Sequence, residues 1–320
     1  MVTTEKLYAR DAYGEALIEL GRKNKQVVAL DADLASSTRT ARFGKQFPDR
    51  FFDLGVAEQN MMGIAAGLAS CGKIPFVSTF AIFGAGRAWD QVRNTICYNN
   101  LNVKIVVTHA GVTVGPDGAS HQAVEDIALM RAIPNMTIVV PADAPETKEA
   151  IFAAFDYPGP VFVRLGRPKV TTLLQKDKFK IGRARRLKHG KDISILACGI
   201  MVNQAQQAAL VLEQQGVDVQ VINMHTIRPL DTEAIIAAAK QTKRIVTCEE
   251  HMISGGLGSA VSEVLSERIP TPLARVGINH RFGQSGTPDE LIKEYNLAVD
   301  DIVQACRKLI DANVKAESAS

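Results

Sequence analysis

Glu58 lies in Asp53-Leu54-Gly55-Val56-Ala57-Glu58-Gln59-Asn60-Met61-Met62-Gly63, where an apolar approach gives way to a run too rich in Ala, Gly and Met for a surface helix. That setting predicts a carboxylate at least half buried, and a buried carboxylate needs a reason. One reason is electrostatic: an acid in a first helical turn favours the macrodipole and the free backbone N–H groups there. The other is chemical: burial raises a Glu pKa and lets the acid share a proton with a ring nitrogen, which is useful only where a nitrogen heterocycle docks. The residues around Glu58 leave both open.

Two further groups could do chemistry. Phe80 and Phe83 cluster where an apolar run hands over to small residues, and they are either core or a flat platform for a planar ring. His109, Asp117 and His121 follow the β-branched run Val103 to Thr108, in a long polar loop that includes Gly115-Pro116-Asp117-Gly118-Ala119-Ser120-His121-Gln122. Two histidines and an acid beyond the carboxyl end of a strand fit a ligand-binding loop as well as they fit structural roles.

These residues need a scaffold, and the chain is long enough to supply one. At 320 residues, 46% of them hydrophobic, it can hold two α/β domains, each with a buried sheet. A net charge of +3 from 37 basic and 34 acidic residues, with no block of like charges, excludes a nucleic-acid footprint and a membrane patch and points to small substrates. The five cysteines are scattered, without a C-x-x-C pair, and read as structural thiols in a reducing compartment. A polar N-terminus and the lack of a membrane-length apolar run imply a cytoplasmic location.

The fold class read from the sequence is α/β, with two doubly wound domains, the first holding a mainly parallel sheet and the second smaller. Helices are predicted over residues 10–23, 58–69, 83–93, 123–133 and 144–155, and strands over 26–30, 74–80, 103–108, 137–140 and 160–168. This alternation fits a parallel sheet covered on both faces. Residues 1–170 are read as the first unit, 171–190, with frequent Lys and Arg (Lys176 and Lys178 among them), as a linker, and 191–320 as the second unit. Gly256-x-Gly258 lacks the third glycine and the later acid of a dinucleotide fingerprint and is read as packing.

Taken together, Val56-Ala57-Glu58-Gln59-Asn60, Ser78-Thr79-Phe80-Ala81-Ile82-Phe83, Thr108-His109-Ala110-Gly111-Val112, the Gly115 to His121 loop and Arg164-Leu165-Gly166-Arg167-Pro168 resemble the pyrimidine-binding half of transketolase. The second unit is similar to that family's C-terminal domain, so the resemblance spans nearly the whole chain. It implies a thiamine-diphosphate enzyme that moves a two-carbon glycolaldehyde unit from a ketose phosphate to an aldose phosphate, as in the pentose phosphate pathway. Glu58 matches the acid bonded to the aminopyrimidine, Phe80 and Phe83 the aromatics lining it, and Asp33 an acid near the cofactor. His109, Asp117 and His121 match positions near the sugar hydroxyls and phosphate, with His109 and His121 in the catalytic set. Arg10, Ser37 and Arg167 match positions that hold the substrate phosphate.

Full-length transketolases carry a further N-terminal domain that holds the diphosphate through a metal ion with a Gly-Asp-Gly motif, which this sequence lacks. The resemblance is therefore to the C-terminal subunit of a split transketolase, whose partner subunit binds most of the Mg2+ or Ca2+ site and the diphosphate, in an α2β2 heterotetramer. Two departures stand out: Gly84-Ala85-Gly86 replaces an aromatic found in many members, and Pro116 replaces a frequent Glu. The rival readings are a 1-deoxyxylulose-5-phosphate synthase-like enzyme, suggested by Thr226-Ile227-Arg228-Pro229-Leu230-Asp231, an E1-type dehydrogenase β subunit, and a non-catalytic assembly subunit. His109 and Arg167-Pro168 weigh against the first.

Overall fold

A computed structural model of the chain describes residues 5–173 and 178–317. The outer ends of the two expected units, and Lys176 in the expected linker, lie outside that range. A seven-stranded sheet carries the first unit, in the spatial order Thr226–Arg228, Thr137–Val139, Val161–Arg164, Lys104–Thr108, Ile74–Phe80, Val27–Asp31 and Phe51–Asp53. All its pairings are parallel except that of the edge strand Thr226–Arg228.

The two faces of this sheet are buried in alternation. Val27, Ala29, Phe76, Val106 and Val163 face the helices Ala9–Lys23 and Ala144–Asp156. Val28, Leu30, Val77, Ile105 and Val107 face the helix Glu58–Ser70 and the turns that follow Phe80. Strands covered on both sides read as continuous apolar runs, which is why they stand out in the sequence.

The second sheet has five strands, in the order Leu273–Ile278, Ile245–Met252, Ile193–Ala197, Val219–Asn223 and Arg185–Lys188. Arg185–Lys188 lies inside the stretch expected as a linker and pairs antiparallel with Val219–Asn223. The units interlock, because Thr226–Arg228 follows a strand of the second sheet yet completes the edge of the first. Among the described residues, no helix is long and apolar enough to cross a membrane.

A buried ionic network joins the units. Arg164, at the end of its strand, donates to Asp126 Oδ2 at 2.7 Å and to the carbonyls of Ala123 and Glu250. Glu250 Oε1 accepts from the Thr113 N–H at 2.7 Å, so the second unit helps fix the polar loop of the first. Burial pushes the Glu250 carboxyl up to about 7, although Arg164 and Thr113 pull the other way. An acid raised on folding supports stability below its unfolded pKa and loses that contribution as pH rises through 4.5 to 7. Glu250→Gln keeps the acceptor and removes the titration. Its stability relative to wild type should therefore improve between pH 4.5 and 7 by about 1 kcal/mol per unit, read by denaturant melts; a pH-independent difference contradicts this.

Candidate active site

The parallel strands deliver their chemistry at one edge. Ile74–Phe80 ends in Phe80, Lys104–Thr108 is followed by His109, and Val161–Arg164 by Arg167, at the carboxyl ends where open α/β sheets gather ligands. His109 adopts φ +59°, a left-handed turn that carries its ring back over the strand end. Phe80 and His109 stack with ring centroids 3.9 Å apart, Phe80 and Phe83 lie 6.1 Å apart and nearly parallel, and His121 meets Phe83 edge-on at 5.4 Å. Four sequence-selected residues thus form one aromatic cluster.

Glu58 is the first residue of its helix and is 1% exposed. Both carboxylate oxygens accept from Arg87 Nη1, at 2.9 and 2.8 Å, and the same guanidinium lies 4.5 Å from the Phe83 ring centroid. Arg87, 46% exposed in its side chain, is a residue that the sequence reading missed. It reaches Glu58 because Phe83–Arg87 winds as a π-helical turn, with the Ala88 N–H bonded back to the Phe83 carbonyl. Such turns insert one extra residue and recur at functional sites. A Cβ on Gly84 would come 2.8 Å from Val107 Cγ1, so a larger side chain at that position would press on the side chains of the sheet.

Thr108 Oγ1 lies 2.8 Å from His109 Nδ1, and with the hydroxyl donating, Nε2 carries the ring hydrogen. Burial first, and then the cations Arg10, Arg167 and Arg39, push His109 down to about 3. It is a neutral hydrogen-bonding group, not a proton shuttle near pH 7. Its ring NMR resonances should stay flat between pH 5 and 8; a titration near 6.5 would contradict this geometry.

A cleft of about 210 Å³ lies nearby, lined by Arg10 and Arg167 together with Tyr8 and Lys169. Arg10 Nη1 donates to the Ser37 carbonyl at 3.2 Å, and Arg167 Nη1 donates to the Val114 carbonyl. Burial and the neighbouring cations Arg39 and Arg167 lower the Arg10 pKa. The remaining two candidates stand apart. Asp33 is exposed at φ +63°, its N–H bonded to Asp53 Oδ1, and Asp117 is exposed on the loop with no hydrogen bond among the described residues.

Residues 5–172 match the transketolase pyrimidine-binding domain and residues 182–302 the transketolase C-terminal domain. The chain belongs to the transketolase family. A 6-deoxy-6-sulfo-D-fructose transketolase subunit of Clostridium sp. is 42% identical, with 97% of each chain covered. Human transketolase is 36% identical over 96% of this chain, which spans 49% of that enzyme. A solved split-gene transketolase, in the form of an inactive β4 tetramer, is 50% identical and superposes with a TM-score of 0.89, covering 95% of this chain and 99% of that one. Membership in the transketolase family implies dependence on thiamine diphosphate.

Proposed function

We propose that this chain is the pyrimidine-binding subunit of a two-chain transketolase. It moves a two-carbon unit from a ketose phosphate to an aldose phosphate with a separate N-terminal subunit that holds the diphosphate and its Mg2+ or Ca2+. The observation that carries this reading is Glu58, a carboxylate buried beside an aromatic wall and covered by a planar cation. The guanidinium of Arg87 rests on Phe83 and donates N–H to Glu58, as a protonated aminopyrimidine would. Arg87 is half exposed and can leave toward solvent, so the residues present fit the ring.

Bound there, thiamine diphosphate supplies the nucleophilic carbon that carries the two-carbon unit between sugars. Glu58 holds a proton at the ring nitrogen and relays it, which a neutral amide cannot do. Phe80 and Phe83 exclude water and strengthen that contact by lowering the local dielectric. His109 offers Nε2–H to sugar oxygens, with His121 at the cluster's edge. Arg10 and Arg167 hold the terminal phosphate, Ser37 orienting the first through its carbonyl. Asp33 and Asp117, exposed here, await the partner and the substrate. Copies of this chain pair within an α2β2 assembly, a reading supported by the tetrameric form of the split-gene relative.

The test mixes the purified chain with a candidate N-terminal subunit, thiamine diphosphate and magnesium, and follows two-carbon transfer between sugar phosphates. Activity should appear in the mixture alone; full activity of the isolated chain contradicts the reading.

A further inference from the structure

The cleft beside His109 contains more positive charge than its two arginines supply. The strands Lys6–Tyr8 and Lys169–Thr171 form a two-stranded antiparallel sheet in which Tyr8 pairs directly with Lys169. This register gathers two cations at one ring: the Arg10 guanidinium lies 4.8 Å and the Lys169 ammonium 5.1 Å from the Tyr8 centroid. With Arg167, three cations and no carboxylate line the cleft among the described residues. Asp11 and Glu15 line an adjoining cleft with Tyr8 and Lys169, and there Asp11 accepts from Arg39 at 2.7 Å and from Arg42 at 3.1 Å. Arg10 Nε is buried with no hydrogen-bond partner among the described residues, a donor left for a ligand acceptor.

We infer that Lys169 is a specificity-determining residue, a third cation that makes the cleft select sugars ending in a phosphate dianion over sugars ending in a sulfonate monoanion. The inference rests on the function proposed above and deepens it. Phosphate monoesters and sulfonates both present three outer oxygens in the same tetrahedral shape, so the planar forks of Arg10 and Arg167 grip them alike. The two headgroups differ in charge. A lysine ammonium is a compact point charge on a flexible stem, and it reads charge rather than shape. Here it shares a cleft with two guanidinium groups and with no acid among the described lining residues, so the second negative charge of a phosphate is the counter-ion the cleft lacks.

Arg10, Arg167 and Lys169 all belong to this chain, so binding is tested on the isolated chain. Methyl phosphate and methanesulfonate are titrated into the isolated chain at pH 8, where a phosphate monoester is a dianion because its second pKa is about 6. Wild type should bind methyl phosphate at least about tenfold more tightly than methanesulfonate. Lys169→Gln should weaken methyl phosphate about fivefold or more and methanesulfonate less than about twofold, and Lys169→Arg should restore most of the preference. Equal affinity of wild type for the two probes, no binding of either, or an unchanged preference in Lys169→Gln at an unchanged melting temperature overturns the inference. Absence of two-carbon transfer in the wild-type mixture would count against the proposed function and leave the anion preference standing.

Discussion

Replacing Glu58 by Gln should lower two-carbon transfer in the assembled enzyme by at least about 100-fold, the scale on which removal of a positioned proton-transfer group is felt. The change keeps the shape and one acceptor oxygen. Arg87, half exposed, can still donate to that oxygen or turn to solvent, so no unpaired buried charge is created. Folding stability should therefore change by less than about 1 kcal/mol, and KM for the sugars should change little, because Arg10, Arg167 and His109 are untouched. A loss of activity accompanied by a matching loss of folded protein would point to structure instead. Arg87→Ala makes the opposite change: it leaves the 1%-exposed carboxylate without its partner and should destabilise the isolated chain while sparing the acid.

The second large effect is on folding. Gly111 follows His109 by two residues and has φ +79° and ψ −174°, a conformation essentially confined to glycine. A Cβ there would meet the Glu250 carboxyl at 2.1 to 2.4 Å. Glu250 cannot retreat, because it is buried and accepts from the Thr113 N–H. Gly111→Ala should thus cost more than about 3 kcal/mol from combined strain and overlap, lowering the melting temperature by roughly 4 °C or more. It should also disturb the turn that seats His109 on Phe80. A melting temperature within about 2 °C of wild type would contradict the close packing of the two units at this point.

How much of this was readable without coordinates depended on where the physical signal was local. Val27–Asp31, Ile74–Phe80, Lys104–Thr108 and Ile193–Ala197 are buried throughout or nearly so, and such strands declare themselves as apolar runs. The burial of Glu58 was legible for the same reason, from the Ala, Gly and Met around it. The pairing of Lys6–Tyr8 with Lys169–Thr171 was not, since two three-residue strands far apart in sequence carry no periodicity. Thr226–Arg228 and Arg185–Lys188 were hidden likewise, one crossing to the other sheet and one lying in a stretch whose charge suggested a linker.

The site divides along the same line. Phe80, Phe83, His109 and His121 sit at or beyond strand ends, and parallel topology brings such residues together. Arg87 falls inside the helix predicted over residues 83–93 and carries no signal of its own, because an extra residue in a π-turn, and hence the direction of that side chain, leaves no mark in composition. The predicted helix over residues 83–93 is accordingly two π-helical segments, Phe83–Arg87 and Gln91–Cys97. Lys169 went unnoticed because its meaning comes from Tyr8, more than 150 positions earlier in the chain.

The central claim is that Glu58 controls a proton on the pyrimidine ring and, through it, the reacting carbon of thiamine diphosphate. The most direct measurement is the rate at which the hydrogen on that carbon exchanges with deuterium in the assembled enzyme without sugar. Wild type should exchange it at least about 100 times faster than Glu58→Gln. Equal rates in two proteins that bind the cofactor equally would contradict the account.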